Sequence, residues 1–185
     1  MGTNPIAFAA PVPGSNPIIV DFATSVVAAN KLRVARAKGA KIPKGWIVDR
    51  EGADSDDPND FYAGGYLLTV GAHKGYGLTI MVEMLAGLLS GTGAAPFDYP
   101  GGNGIFMFAL SPEFFRQPQE FLADVQHLVS ALHGTPPRDG FERVLVPGDP
   151  EVIAEAKNLH EGVELDAATW QSLLSAAREV GIEFA

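Results

Sequence analysis

The sequence predicts a mixed α/β fold, roughly half helical, in one domain or one large domain with a small appendage. Three observations carry this expectation. Short β-branched or apolar runs (Pro5–Ala10, Ile18–Val20, Gly101–Leu110) sit between clusters of Gly, Pro and Asp. Longer stretches with helical spacing and stop signals alternate with them, at about 24–38, 78–90, 115–132, 150–161 and 167–180. The 185 residues, 46% hydrophobic and 19% charged, supply enough apolar material for a core and carry no mark of disorder. Neither an internal repeat nor a low-complexity tract interrupts the pattern.

Pro5-Ile6-Ala7-Phe8-Ala9-Ala10 and Ile18-Ile19-Val20 read as two strands around the turn Pro13-Gly14-Ser15-Asn16-Pro17, with Asp21 ending the second. The next stretch, Thr24 to Lys38, reads as a helix with Thr24 or Ser25 as N-cap and Gly39 as its stop. Its Lys31, Arg33, Arg36 and Lys38 fall late in the helix, where cations suit the dipole. Residues 43–65 hold Pro43, Gly45, Gly52, Asp54, Asp56, Asp57, Pro58, Gly64 and Gly65. That composition predicts a long solvated excursion with little regular structure, the kind of loop that often carries function; the paired Asp56 and Asp57 read as simply solvated.

From Tyr66 a strand leads into Gly71-Ala72-His73-Lys74-Gly75-Tyr76-Gly77, followed by an apolar helix to about Ser90, read as buried, and Gly91-Thr92-Gly93 closes it. Gly101 to Leu110 reads as a further buried strand. A helix at about Phe115–Leu132 follows, then a strand at Arg143–Val146 ending in Pro147-Gly148-Asp149-Pro150, and two final helices.

Charge and composition exclude several classes. A formal net charge of −9 argues against nucleic acid or an anionic membrane surface as partner. With no cysteine there is no disulfide, thiolate catalysis or Cys-based zinc site, which fits the cytoplasm. Met1 to Pro5 lacks the features of a signal peptide, and Ile6 occupies the position where a myristoylation motif needs Ser or Thr. The apolar stretch Leu78 to Leu89 is short for a bilayer span and carries Glu83. His127 and His133 lie six apart and His160 is isolated, so no metal-ligand spacing emerges, and no Gly-x-Ser-x-Gly elbow is present.

Three segments carry possible chemistry. Asp21-Phe22-Ala23-Thr24-Ser25 runs from a strand into a predicted helix, whose free amides and hydroxyls suit either a phosphate or carboxylate or a plain N-cap. In Gly71–Gly77 three glycines flank His73 and Lys74 before a helix; the backbone there admits close approach and Lys supplies a point charge, although a tight turn with an exposed Lys fits as well. The segment is neither GxxxxGK[ST] nor GxGxxG. In Pro147-Gly148-Asp149 the acid could accept from ribose hydroxyls or cap the next helix.

Taken together, Gly2-Thr3-Asn4-Pro5-Ile6-Ala7-Phe8-Ala9-Ala10-Pro11, Val20-Asp21-Phe22-Ala23-Thr24-Ser25, Ile42-Pro43-Lys44-Gly45-Trp46 and Gly71-Ala72-His73-Lys74-Gly75-Tyr76-Gly77-Leu78 resemble successive blocks of the malate/L-lactate dehydrogenase family. Their order and spacing match across nearly the whole chain. The resemblance implies a largely antiparallel α/β sheet with flanking helices, a non-Rossmann cofactor domain. It also implies NAD or NADP as cofactor, a small 2-hydroxy acid or its 2-oxo partner as substrate, and a homodimer.

Carried over by position, Asp21, Phe22, Ala23, Thr24, Ser25, Val26 and Val27 would line the cofactor. His73 and Lys74 would contact it, Pro147, Gly148 and Asp149 would add a third contact, and Thr3 and Asn4 would lie near the substrate. Residues 1–146 would form the cofactor-binding domain and 147–185 a C-terminal helical segment. Family members carry their proton-transferring His and Arg-type carboxylate clamp ahead of the Gly-Thr-Asn-Pro block, and none of the four His here matches the catalytic one. The expectation is therefore a dehydrogenase portion with no catalytic residue of its own, inactive alone. A non-catalytic interaction module and another phosphate- or nucleotide-binding enzyme remain as alternatives.

Overall fold

A computed structural model describes residues 2–94 and 102–182 of the chain. They pack into two compact units, Met1–His127 and Leu128–Ala185.

The first unit opens with an antiparallel ribbon. Strand β1 (Pro5–Ala10) pairs with β2 (Ile18–Ala23) from Pro5↔Ala23 to Ala10↔Ile18. The predicted pair of strands is present, but β2 runs past Asp21 to Ala23, because Ala7, Ile6 and Pro5 continue the ladder opposite it. Helix α1 (Ala29–Ala37) follows, and Gly39 at φ +60 turns the chain out of it.

Residues 43–65 are more ordered than their composition predicts. Strands β3 (Ile47–Val48), β4 (Asp54–Ser55) and β5 (Tyr66–Leu67) form a small antiparallel sheet in the order β4-β3-β5. Helix α2 (Pro58–Tyr62) sits between β4 and β5. The Asp57 side chain accepts from the Asn59 amide and caps it, while Asp56 pairs with Lys41 at 2.6 Å. Both carboxylates sit below their ordinary range: the Lys41 hydrogen bond acts first on Asp56, the Asn59 amide first on Asp57. Reading the two acids as merely solvated is thus corrected, since each has a partner that orders the loop.

Val27, Leu32, Ile42 and Ile47 make the core of this unit, and Ala35, Trp46, Phe61 and Leu67 pack against it. Leu32 and Ile47 are fully buried, each contributing about 2 kcal/mol by removal from water. The apolar anchors of the segment from Ile42 to Leu67 explain why it folds down instead of remaining a solvated loop.

Helix α3 (His73–Val82) continues into a π-helical turn, Glu83–Leu88. The expectation of a buried helix holds for one face only. Gly75 and Thr79 are buried, but Met81, Met84, Leu88 and Leu89 are exposed. After a single 3-10 turn at Pro112–Phe114 comes α4 (Pro118–His133); α5 (Asp149–Glu161) and α6 (Ala167–Glu179) complete the second unit, where Val146 and Ala177 are buried.

Two predicted strands are absent. Residues 102–110 form no strand, and Ile105, Met107, Phe108 and Leu110 are each more than two-thirds exposed; Gly101 lies outside the described residues. Residues 143–146 are likewise irregular. Both runs have strand-like sequence, but a strand exists only with a neighbour to take its amides and carbonyls. All strand pairs among the described residues are antiparallel, so the mixed α/β fold with small antiparallel sheets and flanking helices agrees with expectation.

Candidate functional site

Thr24 is the centre of the site. It is fully buried at the end of β2, where its Oγ1 donates to the carbonyls of Thr3 (3.1 Å) and Asn4 (3.0 Å). Its amide bonds the Thr3 carbonyl at 2.9 Å and its own carbonyl accepts from Val70 at 2.9 Å. From α3, the Thr79 hydroxyl approaches Thr24 Oγ1 at 2.9 Å and the Gly75 carbonyl at 2.9 Å. Two residues further, the Val26 amide donates to the Leu68 carbonyl at 2.8 Å, and Ser25 bridges to Thr69. One side chain thus ties the Thr3-Asn4 turn, the end of β2, the approach to α3 and α3 itself into a single junction.

This geometry corrects the predicted helix start. The helix begins at Ala29, not Thr24, and its N-cap, Ala28, makes no side-chain cap. Thr24 and Ser25 are not capping residues: the Ser25 hydroxyl donates to the Val27 carbonyl at 2.8 Å, and the pairing of residues 24–26 with 68–70 holds them extended. The anion recipe of free helix amides at Asp21–Ser25 therefore does not apply. Asp21, Phe22 and Val26 are exposed on this segment, Ala23 is half-buried and Val27 belongs to the core.

The helix end that does open at the junction belongs to α3. His73 and Lys74 occupy its first turn, and both are exposed. The turn before it is tightly wound. Gly71 has φ +61 and Ala72 φ +52, and besides Ala72 only Asn4 among the described non-glycine residues has positive φ. Both of those residues belong to this junction. The positive end of the α3 dipole, an exposed ammonium and an exposed imidazole form a donor set that suits an anionic phosphate.

Asn4 is held from below. Its Nδ2 donates to Glu83 Oε1 at 2.8 Å and to the Thr79 carbonyl at 3.3 Å. Sequence reasoning missed Thr79 and Glu83 as parts of the site. The available signal was two polar side chains, four apart, in an otherwise apolar helix.

Pro147, Gly148 and Asp149 belong to the second unit. Gly148 is the N-cap of α5 at φ +105, and Asp149 is the first helical residue, not the cap. Its carboxylate accepts from the Val146 amide at 2.9 Å and meets His133 Nε2 at 2.7 Å. Asp149, His133 and Arg143 line a cleft of about 410 Å³ with Leu145, Val152 and Ile153. Burial resists ionisation of Asp149, but the Val146 amide, the His133 hydrogen bond and the charges of His133 and Arg143 outweigh it and hold the carboxyl below its usual range. A carboxyl depressed in the folded state stabilises the protein above its unfolded pKa, and that contribution is lost as pH falls through the folded value. The melting temperature is expected to fall as pH drops below the ordinary carboxylate range, and Asp149→Asn is expected to flatten part of that acid limb in melts run across pH.

Among the described residues no group of three or more His, Asp and Glu could hold a metal, and no helix is long and apolar enough to cross a membrane.

Fold and site thus define an α/β protein with antiparallel sheets and an exposed, basic helix end anchored to a buried threonine junction. A sequence profile described as malate/L-lactate dehydrogenase matches residues 1–174, and the chain belongs to that family. It is 37% identical over 187 residues to an L-lactate dehydrogenase from Cupriavidus necator, covering 97% of this chain and 53% of that protein. With the NAD(+) ureidoglycolate dehydrogenase of Escherichia coli it shares 34% over 184 residues, covering 95% and 52%. Among solved structures it resembles a dehydrogenase from Sinorhizobium meliloti (TM-score 0.81, 29% identity, 94% of this chain and 52% of that one). Sulfolactate dehydrogenase from Methanocaldococcus jannaschii is similar at TM-score 0.73 and 32% identity, covering 99% and 54%. The chain spans about half the length of the curated relatives it matches.

Proposed function

We propose that this chain is the cofactor-holding part of an NAD(P)-dependent oxidoreductase that moves hydride between a nicotinamide and a small 2-hydroxy acid or its 2-oxo partner. The observation that carries this reading is the Thr24 junction, which gathers Thr3, Asn4, the Asp21–Val27 segment and the His73-Lys74 turn. These are blocks far apart in sequence, and the exposed donor set at α3 has the chemistry that a dinucleotide's phosphates require. The names of the relatives, lactate and ureidoglycolate dehydrogenases among them, favour a 2-hydroxy acid as substrate.

In this reading the nicotinamide, when bound, supplies the hydride donor or acceptor. Lys74 and His73 hold its anionic part, the 21–27 segment forms the wall beside it, and Thr3 and Asn4 lie where the nicotinamide meets the substrate. Cofactor holding falls to residues 1–146 and the helical segment to 147–185. No proton-transfer role is assigned to His73, His127, His133 or His160; hydride transfer needs such a group aligned with the substrate oxygen. We place it, with the carboxylate clamp, in the half of the relatives' length beyond the matched stretch. The working form in this reading is a cytoplasmic homodimer.

The test is an NADH titration followed by cofactor fluorescence. Saturable binding is expected, and Lys74→Ala is expected to weaken it about tenfold, the worth of one charged phosphate contact. No binding at millimolar NADH removes the reading, while binding unchanged by Lys74→Ala removes only the role of Lys74.

A further inference from the structure

Glu83 is an acid in an otherwise apolar stretch, Leu78 to Leu89, and it begins the π-helical turn that ends α3. π-helical turns inside α-helices recur at functional sites. Here, among the described residues, the carboxylate forms no ion pair. It is half-buried, and its Oε1 accepts from Asn4 Nδ2 at 2.8 Å.

The chemistry of the Thr79 carbonyl settles which way the Asn4 amide faces. A peptide carbonyl such as that of Thr79 accepts hydrogen bonds and donates none. The Asn4 group facing it must therefore be its NH₂, with one hydrogen for Glu83 Oε1 and the other for the Thr79 carbonyl. Both donors are consumed, and the amide presents its Oδ1 on the opposite side, against Gly2, where an added Cβ would stand 3.4 Å from it. Gly2 is exposed and Asn4 is half-buried. The main chain of the turn is fixed independently, because Thr24 Oγ1 grips the Thr3 and Asn4 carbonyls.

We infer that Glu83 is a positioning residue which, with Thr79, locks the Asn4 amide so that its Oδ1 is offered as a hydrogen-bond acceptor to the reacting end of the bound ligand, an N–H or O–H donor such as a carboxamide. The inference rests on the nicotinamide reading above. It deepens that reading by separating two grips: Lys74 and His73 hold the phosphate end, while Asn4, held by Glu83, reads the head group. Glu83→Gln keeps an acceptor for Asn4 Nδ2. Glu83→Ala removes it and leaves the amide held only by the longer, 3.3 Å bond to the Thr79 carbonyl.

The experiment compares NADH with ADP-ribose, which has the phosphates and lacks the nicotinamide, on the wild type and on Glu83→Ala, Glu83→Gln and Asn4→Ala. The expected result is that Glu83→Ala and Asn4→Ala weaken NADH about tenfold and leave ADP-ribose within about twofold, with Glu83→Gln near the wild type. If both ligands weaken in parallel, or NADH is unaffected, the inference is overturned, since a merely structural role moves both alike. A second measurement needs no cofactor. In nitrogen-edited NMR the Asn4 side-chain amide protons are expected to be slow to exchange in the wild type and fast in Glu83→Ala. Fast exchange in the wild type overturns the inference even if NADH binds. Slow exchange with no NADH binding locates the failure in the nicotinamide reading.

Discussion

Gly75→Ala is expected to destabilise the protein by about 3 kcal/mol, lowering the melting temperature by roughly 10 °C. Gly75 is buried in the first turns of α3, and a Cβ built on it collides with the carbonyl and amide of Val70. Backbone, unlike a flexible side chain, cannot swing aside. Val70 is itself fixed, since its amide donates to the Thr24 carbonyl at 2.9 Å. Relief of the overlap must therefore move α3 away from the segment carrying Thr24, pulling the His73-Lys74 turn out of register. Gly77→Ala is the control. Nothing lies within 4 Å of its added Cβ, and alanine is the better helix former by about 1 kcal/mol, so that variant should be unchanged or slightly more stable. Equal destabilisation by the two substitutions in thermal or urea unfolding would refute the close-approach argument.

The second large effect is expected at Thr24. Thr24→Val keeps the shape of the side chain and removes the hydroxyl that serves the Thr3 and Asn4 carbonyls and receives Thr79. The Thr3 carbonyl keeps the Thr24 amide and Thr79 keeps the Gly75 carbonyl, so the group left wanting is the Asn4 carbonyl. A partly buried acceptor without a partner costs about 1–2 kcal/mol, and Thr24→Ser, which retains the hydroxyl, should recover most of it. Because Thr24 and Thr79 share one hydrogen-bonded unit, Thr24→Val and Thr79→Val should combine less than additively. Strict additivity in a double-mutant cycle would mean that the two hydroxyls do not act together. NADH affinity, where present, should fall with Thr24→Val, since the turn bearing Asn4 loses its anchor.

The local signals worked where the element answered to its own residues. Pro13-Gly14 turn chemistry between apolar runs gave the β1–β2 ribbon, and the helical spacing near 118–133, 149–161 and 167–179 placed α4, α5 and α6 within a few residues. They misled where a distant partner decided. Thr24 and Ser25 have the composition of a helix cap, but residues 68–70 hold them extended and move the helix start to Ala29. The apolar run 105–110 has the composition of a strand but no neighbour among the described residues to complete its ladder. The 43–65 segment has the composition of a loop, yet Ile42, Ile47 and Leu67 fasten it to the core.

For the site the same division holds. By itself the sequence determined the residue types and their order: the Thr3-Asn4 block, Asp21–Val27, and His73-Lys74 among glycines. These suffice for the family because spacing along a chain is a one-dimensional property. Tertiary structure alone decided that Thr24 faces inward to join them, that Thr79 and Glu83 reach back some 75 to 79 positions to hold Asn4, and that Asp149 is engaged by His133 and Val146. The physical reason is that a hydrogen bond needs its two partners within about 3 Å in space. Nothing in the local composition around Asn4 or Thr24 specifies which distant helix will bring the other half.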